Sequence, residues 1–169
     1  FWKKIIKNLI MKGKNMKKER YQSKVAVFLL LTREKDGITE ILLQERVNTG
    51  YMDGKYDAAC SGHLEKGETL AQATIREAKE EIGIEVKEKD LKMVALIHPY
   101  QDDYLNVFFE TKKYEGTPKI KEPEKCDDLR WFNIEELPEN IFDRIKNVLE
   151  NIKRNIIYDD GDFTNQKLS

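Results

Sequence analysis

The chain has 169 residues, of which 40% are apolar and 36% charged, and its formal net charge is −1. This length allows one domain with a buried core, and the near-zero charge excludes a chain drawn as a whole to nucleic acid or to an anionic membrane. Because no run of about twenty apolar residues is present, the sequence predicts no membrane-spanning helix.

The first twenty residues carry eight Lys or Arg side chains against one acid, Glu19. Apolar residues at helical spacing in residues 1–15 are compatible with a helix lying on a membrane surface. We favour a basic, disordered extension over residues 1–20, or sequence upstream of the natural initiator, since Phe1 begins the chain and Met16 leads directly into a strand pattern. The domain is then expected over residues 21–157, and a polar tail over residues 158–169.

Strand patterns begin after this extension. The run 25–31 is continuously apolar, which is typical of a strand buried on both faces. A turn at Lys35-Asp36-Gly37 separates it from a second strand over residues 38–45. Extended segments are also predicted at 56–61, 91–98, 104–112 and 129–132.

Two helices complete the predicted elements. The clearer one covers residues 69–82 and ends at Gly83. The other follows Pro138 and carries an apolar stripe of Ile141, Ile145, Val148, Leu149 and Ile152. Because strands and helices interleave without regular βαβ alternation, we expect an α/β fold, a mixed β-sheet with helices on its faces.

Acidic residues cluster on the first helix. At about 100° per residue, Ala71, Ile75, Ala78 and Ile82 form a core face. The three acids Glu77, Glu80 and Glu81 share a stripe that points the opposite way. Acids at this spacing repel one another. A hard divalent cation makes the cluster favourable, because carboxylate oxygens are the ligands that Mg²⁺ prefers.

The surroundings of this stripe form a longer pattern. Gly62, five residues, Glu68, seven residues and then the run Arg76-Glu77-Ala78-Lys79-Glu80-Glu81-Ile82-Gly83-Ile84 occupy every fixed position of that pattern. It resembles the Nudix box, G-x5-E-x7-R-E-U-x-E-E-x-G-U, where U is apolar. A bare ExxEE would indicate only a solvated helix face. The complete box instead implies a Nudix α/β/α sandwich.

The resemblance implies a role for each residue of the box. Glu80 and Glu81 would be the main metal ligands, and Glu77 a further ligand or the base that orients water. Arg76 would pair with Glu68 and hold the loop to the helix. The carbonyl of Ser61, beside Gly62, would be another ligand. The implied cofactor is Mg²⁺ or Mn²⁺.

Three residues outside the box are candidates through a looser resemblance to the MutT-like branch and similar enzymes, and His63, which follows Gly62, is a fourth candidate. Glu122 lies where that branch often has one more metal-binding or catalytic glutamate; a solvated loop acid is the alternative, and Glu124 is the fallback. Arg46 matches a phosphate-contacting position, although a surface ion pair also explains it. His63 could face phosphate. Asn140 matches a position that reads a base edge, although helix capping explains it equally well.

The implied activity is hydrolysis of a nucleoside diphosphate linked to another moiety. A nucleoside triphosphate, modified or oxidised, cut to monophosphate and pyrophosphate is the leading prediction. Pro99, fifteen residues beyond Ile84, keeps ADP-ribose or a nucleotide sugar as the alternative. A broad basic surface is missing, so we expect a small diphosphate molecule as partner and no stable nucleic-acid binding. The sequence leaves a homodimer open.

Two other classes share the fold. One is isopentenyl diphosphate isomerase, whose loop resembles Ser61-Gly62-His63, although no cysteine has a matching catalytic context. The other is a non-catalytic nucleotide sensor, which usually lacks box carboxylates. The two cysteines, Cys60 and Cys126, form no CxxC pair and indicate ordinary thiols in a reducing, cytoplasmic compartment.

Overall fold

The computed structural model describes residues 20–99 and 103–161. Eight strands and two α-helices make up this part of the chain, with a 3₁₀ turn at Glu88–Asp90. The strands are β1 Lys24–Lys35, β2 Ile38–Arg46, β3 Tyr56–Ala58, β4 Cys60–His63, β5 Lys92–Ile97, β6 Tyr104–Thr111, β7 Cys126–Asn133 and β8 Tyr158–Asp159, and the helices are α1 Leu70–Ile82 and α2 Asp143–Lys153.

Strand β1 is the centre of one mixed sheet, whose order is β3-β2-β1-β6-β5-β8. One edge of β1 pairs antiparallel with β4 through residues 26–29 and with β2 through residues 31–35. Its other edge pairs with β6 in parallel, and β7 pairs with β2. Residues 26–32 of β1 are all buried, which explains the continuous apolar run in its sequence.

The sheet has a hydrophobic core on each face, so the expected mixed α/β sandwich is confirmed. On one face Ala78 and Ile82 of α1 pack with Leu29, Leu31 and other strand residues. On the opposite face the apolar stripe of α2 packs against the sheet. The residues of that stripe are Ile145, Val148 and Leu149.

Several boundaries differ from the sequence prediction. The segment 56–61 is divided between β3, which pairs with β2, and β4, which pairs with β1. Ile141 lies before α2 rather than in it, because it forms a bridge with Tyr56. Trp131 and Phe132 are half-buried and pack against the two cores, as expected for core residues.

The last strand belongs to the segment where a polar tail was expected. Tyr158 and Asp159 pair in parallel with Leu96 and Ile97, and the His98 amide donates to the Asp159 carbonyl at 2.9 Å. The start of that segment is therefore part of the sheet. The expected basic extension lies outside the described residues, except for Arg20. Within the described ranges, no helix is long and apolar enough to cross a membrane.

Candidate active site

Helix α1 is capped at both ends by residues next to it in the sequence. The Thr69 hydroxyl accepts a hydrogen bond from the Gln72 amide, and the Gln72 side chain accepts one from the Thr69 amide, so the pair forms a capping box. At the other end Gly83 adopts φ 70° and donates to the Ala78 carbonyl. These two caps set the position of the acidic residues between them.

The three acids of α1 lie in different environments, which corrects the prediction of one exposed stripe. Glu77 is only 9% exposed, Glu81 is half-buried, and the side chain of Glu80 is 55% exposed. The predicted core face is also shifted, because Ala73 is buried whereas Ala71 is only partly so. Glu77 is buried because β4 runs directly beside this edge of the helix.

Gly62 of β4 allows this close approach. A Cβ at position 62 would overlap the carboxylate of Glu77, so any other residue would push that side chain away. Burial raises the pKa of Glu77, and the neighbouring Arg76 guanidinium partly opposes that rise. The glycine of the motif therefore makes room for a carboxylate at the strand.

Glu81 is anchored from two other elements. Its Oε2 accepts hydrogen bonds from the Ser61 amide at 3.0 Å and from Gln44 Nε2 at 3.2 Å. Burial, together with repulsion from Glu77 and Glu122, raises the pKa of Glu81 to about 7 despite these donors. A carboxylate in this setting gains much from a nearby cation.

Arg76 connects the loop after β4 to the helix. Its guanidinium donates to both carboxylate oxygens of Glu68, at 2.8 and 3.1 Å, and to the His63 carbonyl. The same group contacts Glu77 at 2.6 Å and Glu80 at 3.2 Å. Arg76 thus joins the loop and the helix that carry the acids.

The loop that precedes β7 brings Glu122 to the same place. The amides of Lys119 and Lys121 donate to the carbonyls of Ile82 and Glu81, so this loop follows the end of α1. Glu122 then contacts Lys125 at 2.9 Å, and its charge raises the pKa values of Glu77 and Glu81. Glu124 is exposed, and its backbone carbonyl accepts a hydrogen bond from the Asn48 side chain.

These acids open into a cleft of about 860 Å³, a size typical of small-molecule sites. Glu77, Glu80, Glu81 and Glu122 line it. So do Ser61, Gly62, His63 and Arg46 among the residues predicted from sequence. Residues that the sequence did not indicate also line the cleft: Ala26, Phe28, Gln44, Asn48, Thr49, Tyr51, Tyr104, Asn106, Lys125, Cys126 and Arg144.

Three predicted site residues do not line the cleft. Glu68 and Arg76 lie behind the acids as the ion pair described above. The Asn140 side chain donates to the Gly54 carbonyl at 2.9 Å, and its carbonyl accepts from the Tyr56 amide. Asn140 therefore fixes the start of the last helical segment to the β2–β3 loop.

Arg46 lines the cleft, and its hydrogen bonds go to the β2–β3 loop. Its Nε donates to the Tyr51 carbonyl and its Nη2 to the Thr49 hydroxyl. Its remaining nitrogen lies 3.6 Å from Asp57, a fully buried carboxylate that Arg144 also contacts at 3.2 Å. Two guanidinium groups on one carboxylate leave this wall of the cleft with a net positive charge.

His63 lines the cleft as an exposed ring, stacked on Tyr104 with 5.4 Å between ring centroids. Neither imidazole nitrogen of His63 has a hydrogen-bond partner within the two described ranges. The ring is therefore available to the cleft, whereas the His63 backbone is tied to Arg76.

Both cysteines are free and buried. Burial raises the pKa of the Cys60 thiol well above its usual range, and nearby carboxylates raise it further. Cys126 lines the cleft, and burial raises its pKa to about 11. Thiols with such pKa values are protonated at neutral pH, which argues against the thiolate chemistry of an isomerase.

The donor atoms around α1 suit a hard divalent cation, although the carboxylates do not yet converge on one point. Among residues 20–99 and 103–161, no three Asp, Glu, His or Cys side chains are arranged as a formed metal site. Arg76 instead pairs with Glu77 and Glu80. Because the Glu80 side chain is 55% exposed, its ion pair with Arg76 contributes little and Glu80 can turn away from Arg76 at low cost.

Comparison with known proteins agrees with the box. The NUDIX domain model matches residues 22–152. NAD-capped RNA hydrolase NudC from Escherichia coli is 29% identical over 122 residues, 72% of this chain and 44% of that protein. The Stutzerimonas stutzeri NudC is 30% identical over 78 residues, 46% of this chain and 27% of its own length. The chain thus spans less than half the length of these relatives.

Solved structures share the fold at low sequence identity. A MutT Nudix hydrolase from Burkholderia pseudomallei has a TM-score of 0.66 at 22% identity, covering 76% of this chain and 97% of the other. The Nudix domain of Shewanella oneidensis NrtR, solved with ADP-ribose, has a TM-score of 0.62 at 16% identity, covering 87% and 97%. With the motif, the fold and the family match in agreement, this chain belongs to the Nudix family.

Proposed function

We propose that this protein hydrolyses the diphosphate bond of a nucleoside diphosphate linked to another moiety, with Mg²⁺ or Mn²⁺ as cofactor. The observation that carries the proposal is the cleft itself. It combines four carboxylates at one end with exposed aromatic and amide groups further along its walls. A phosphate-bound cation suits the first region, and a nucleoside suits the second.

Glu77, Glu80, Glu81 and the Ser61 carbonyl would hold the metal. When bound, it would neutralise the diphosphate and favour ionisation of the attacking water. The chain supports this arrangement by orienting Glu81 through Ser61 and Gln44, at 3.0 and 3.2 Å.

Glu77 is our candidate for the residue that accepts the proton of the attacking water. Burial raises its pKa, which makes its carboxylate a stronger base than an exposed glutamate. Arg76 donates a hydrogen bond to one carboxylate oxygen of Glu77 at 2.6 Å, which leaves the other oxygen to accept the proton. Glu122 lines the same end of the cleft and is the second candidate.

Two kinds of substrate fit this proposal. The MutT-like sequence pattern favours a nucleoside triphosphate, cut to a monophosphate and pyrophosphate. The name of the NudC relatives, NAD-capped RNA hydrolase, favours a dinucleotide of the NAD type, and ADP-ribose, bound in the NrtR structure, belongs with it as an adenosine diphosphate derivative. The chain spans 44% of the Escherichia coli NudC, so the capped RNA in that protein's name is a third candidate substrate for this chain.

A substrate panel tests the proposal. The full chain is incubated with Mg²⁺ and ATP, 8-oxo-dGTP, ADP-ribose, NADH or isopentenyl diphosphate, and products are identified by mass. We expect cleavage at a diphosphate bond in at least one nucleotide, and no cleavage by E80Q. Conversion of isopentenyl diphosphate to dimethylallyl diphosphate, or no turnover of any nucleotide, would contradict the proposal.

Metal binding can be measured separately from turnover. Mn²⁺ titration followed by electron paramagnetic resonance reports bound ion without any turnover. We expect E80Q and E81Q to lose most of the bound Mn²⁺ while their circular dichroism spectra remain unchanged. Lys79 and Glu85 form an exposed ion pair on the same helix end, so K79M serves as a control and should bind Mn²⁺ normally.

A further inference from the structure

Asn106 differs from every other buried polar residue in the described part of the chain. Eight polar or charged residues are buried there, and seven of them have a side-chain hydrogen bond. Asn106 is 3% exposed, and its amide has no hydrogen-bond partner within residues 20–99 and 103–161. Among the described residues, the one fully enclosed side-chain N or O atom without a partner is Arg144 Nε, so the Asn106 amide keeps some exposure and is open to the cleft that it lines.

The register of the sheet places this amide in the cleft. In the sheet register, Asn106 on β6 is paired with Ala26 on β1, and Ala26 is paired with His63 on β4. All three residues line the cleft. Because Ala26 has only a methyl group, the side chain of Asn106 is not covered by its neighbour on β1.

Flat side chains surround the amide. Tyr104 is two residues before Asn106 on β6 and therefore on the same face, where it stacks on His63. Phe28 is two residues beyond Ala26 on β1 and also lines the cleft. We name this group of Ala26, Phe28, His63, Tyr104 and Asn106 the Asn106 recess. Phe28 is already stacked on Phe108 and carries the Arg144 guanidinium over its ring, so the exposed His63 ring is the surface on which a planar heterocycle can stack while its edge bonds the amide.

The recess lies at a suitable distance from the acids. Two strand spacings, or roughly 10 Å, separate β6 from β4, the strand whose Gly62 contacts Glu77. In a nucleotide the ribose separates the base from the diphosphate over a span of this order. Because the acids and the recess line one cleft, a nucleoside diphosphate can contact both from one bound position.

The polar groups of the recess favour adenine over guanine. An asparagine amide presents one donor and one acceptor, which match the adjacent ring nitrogen and 6-amino group of adenine. Guanine presents two adjacent donors, N1–H and the 2-amino group, so the amide would leave one of them without an acceptor, whereas a carboxylate accepts from both. The only carboxylates that line the cleft within the described residues are Glu77, Glu80, Glu81 and Glu122, all at the metal end.

We propose that Asn106 is the residue that selects the base, and that it does so by pairing with the edge of adenine. The inference rests on the proposed function and narrows its substrates to adenosine diphosphate derivatives. Asn106 contacts the base and takes no part in bond cleavage.

Binding without hydrolysis tests this assignment. One probe is the α,β-methylene analogue of ADP. The other is the same analogue with purine in place of adenine, so that it lacks the 6-amino group. Calorimetry with Mg²⁺ gives their dissociation constants for wild type, N106L and N106A. The matched control is T111V, at another buried polar residue of β6 that lies outside the cleft and bonds the Lys113 carbonyl.

We expect wild type and T111V to bind the adenine compound at least about tenfold more tightly than the purine compound. N106L and N106A should bind the two compounds equally, and N106L should melt no lower than wild type because leucine is similar in size and no side-chain hydrogen bond to the described residues is lost. N106A keeps the test valid if leucine does not fit. Equal binding by wild type, or full discrimination by both variants, would overturn the assignment.

The two proposals can fail separately. Discrimination that depends on Asn106, without turnover of any nucleotide, would support the adenine site and contradict the proposed hydrolysis. Turnover of nucleotides without discrimination would do the reverse.

Discussion

Gly62 and Glu77 approach each other so closely that a methyl group on the glycine would overlap the glutamate carboxylate. The contact joins β4 to α1 at the point where the acids enter the cleft. Unlike a turn glycine, Gly62 has no positive φ, so its role is to provide space and not an unusual backbone.

The first prediction concerns this contact. G62A should displace Glu77 and lower kcat by about a hundredfold, because errors of about 1 Å at a reacting group have effects of this size. Steady-state kinetics on the best panel substrate measures it. G37A is the control, since nothing lies within 4 Å of a Cβ at that turn. It should cost some stability and leave kcat unchanged; an active G62A would contradict the role of this space.

The second prediction concerns the ion pair between Glu68 and Arg76, which joins the loop after β4 to α1. E68Q should lower Mn²⁺ affinity and kcat about tenfold or more, because Glu68 orients Arg76 and Arg76 orients Glu77. Electron paramagnetic resonance and kinetics measure the two quantities. E85Q breaks the exposed pair with Lys79 and should change neither. Normal metal affinity in E68Q would show that the pair only stabilises the loop.

The box could be predicted from sequence because its residues are close along the chain. A helix places residues three and four apart together, so Glu77, Glu80 and Glu81 had to be neighbours. The same reasoning gave the wrong exposure for Glu77, since a helical wheel does not show which strand runs beside the helix. Asn106 and Arg144 were not found at all. Each reaches the cleft through sheet register or helix packing, which no local spacing indicates.

The third prediction follows from the raised pKa of Glu81. The pKa rises from an ordinary value of 4.5 to about 7, so ionisation is harder in the folded than in the unfolded protein. Folding stability is therefore full below about pH 4.5 and is lost as the pH rises toward 7. In EDTA, wild type should lose about 1–3 kcal/mol between pH 5 and 8 relative to E81Q.

Urea denaturation at a series of pH values measures this difference. E80Q is the matched control, because the Glu80 side chain is 55% exposed. Glu80 is not among the causes of the raised pKa of Glu81, so E80Q should keep the loss of stability that Glu81 produces between pH 5 and 8. Parallel curves for wild type and E81Q would show that Glu81 ionises as an ordinary glutamate. Added Mg²⁺ should reduce the difference, since a bound cation stabilises the ionised form.

The fourth prediction concerns the carboxylate shared by two arginines. Asp57 is fully buried between Arg46 and Arg144, and Arg144 packs on the Phe28 ring at 4.3 Å. D57N removes the countercharge and should lower the free energy of unfolding by about 3 kcal/mol. Chemical denaturation measures it. E40Q, which breaks the partly exposed pair with Arg33, should cost less than about 1 kcal/mol.

The fifth prediction separates Glu122 from Glu124. Glu122 lines the cleft and raises the pKa values of Glu77 and Glu81, whereas Glu124 is not among the residues that line it. E122Q should weaken Mn²⁺ binding about tenfold and lower kcat. The Glu122 charge that repels Glu77 and Glu81 also attracts the cation that they bind. E124Q should match wild type in both measurements.

The pH dependence of E122Q gives an independent check of the same placement. Removing the charge of Glu122 removes one cause of the raised pKa of Glu81, so that pKa should fall toward its ordinary value. The pH range over which metal-free protein loses stability should therefore shift downward in E122Q and stay in place in E124Q. A shift in E124Q alone would show that the loop before β7 presents its other glutamate to the helix.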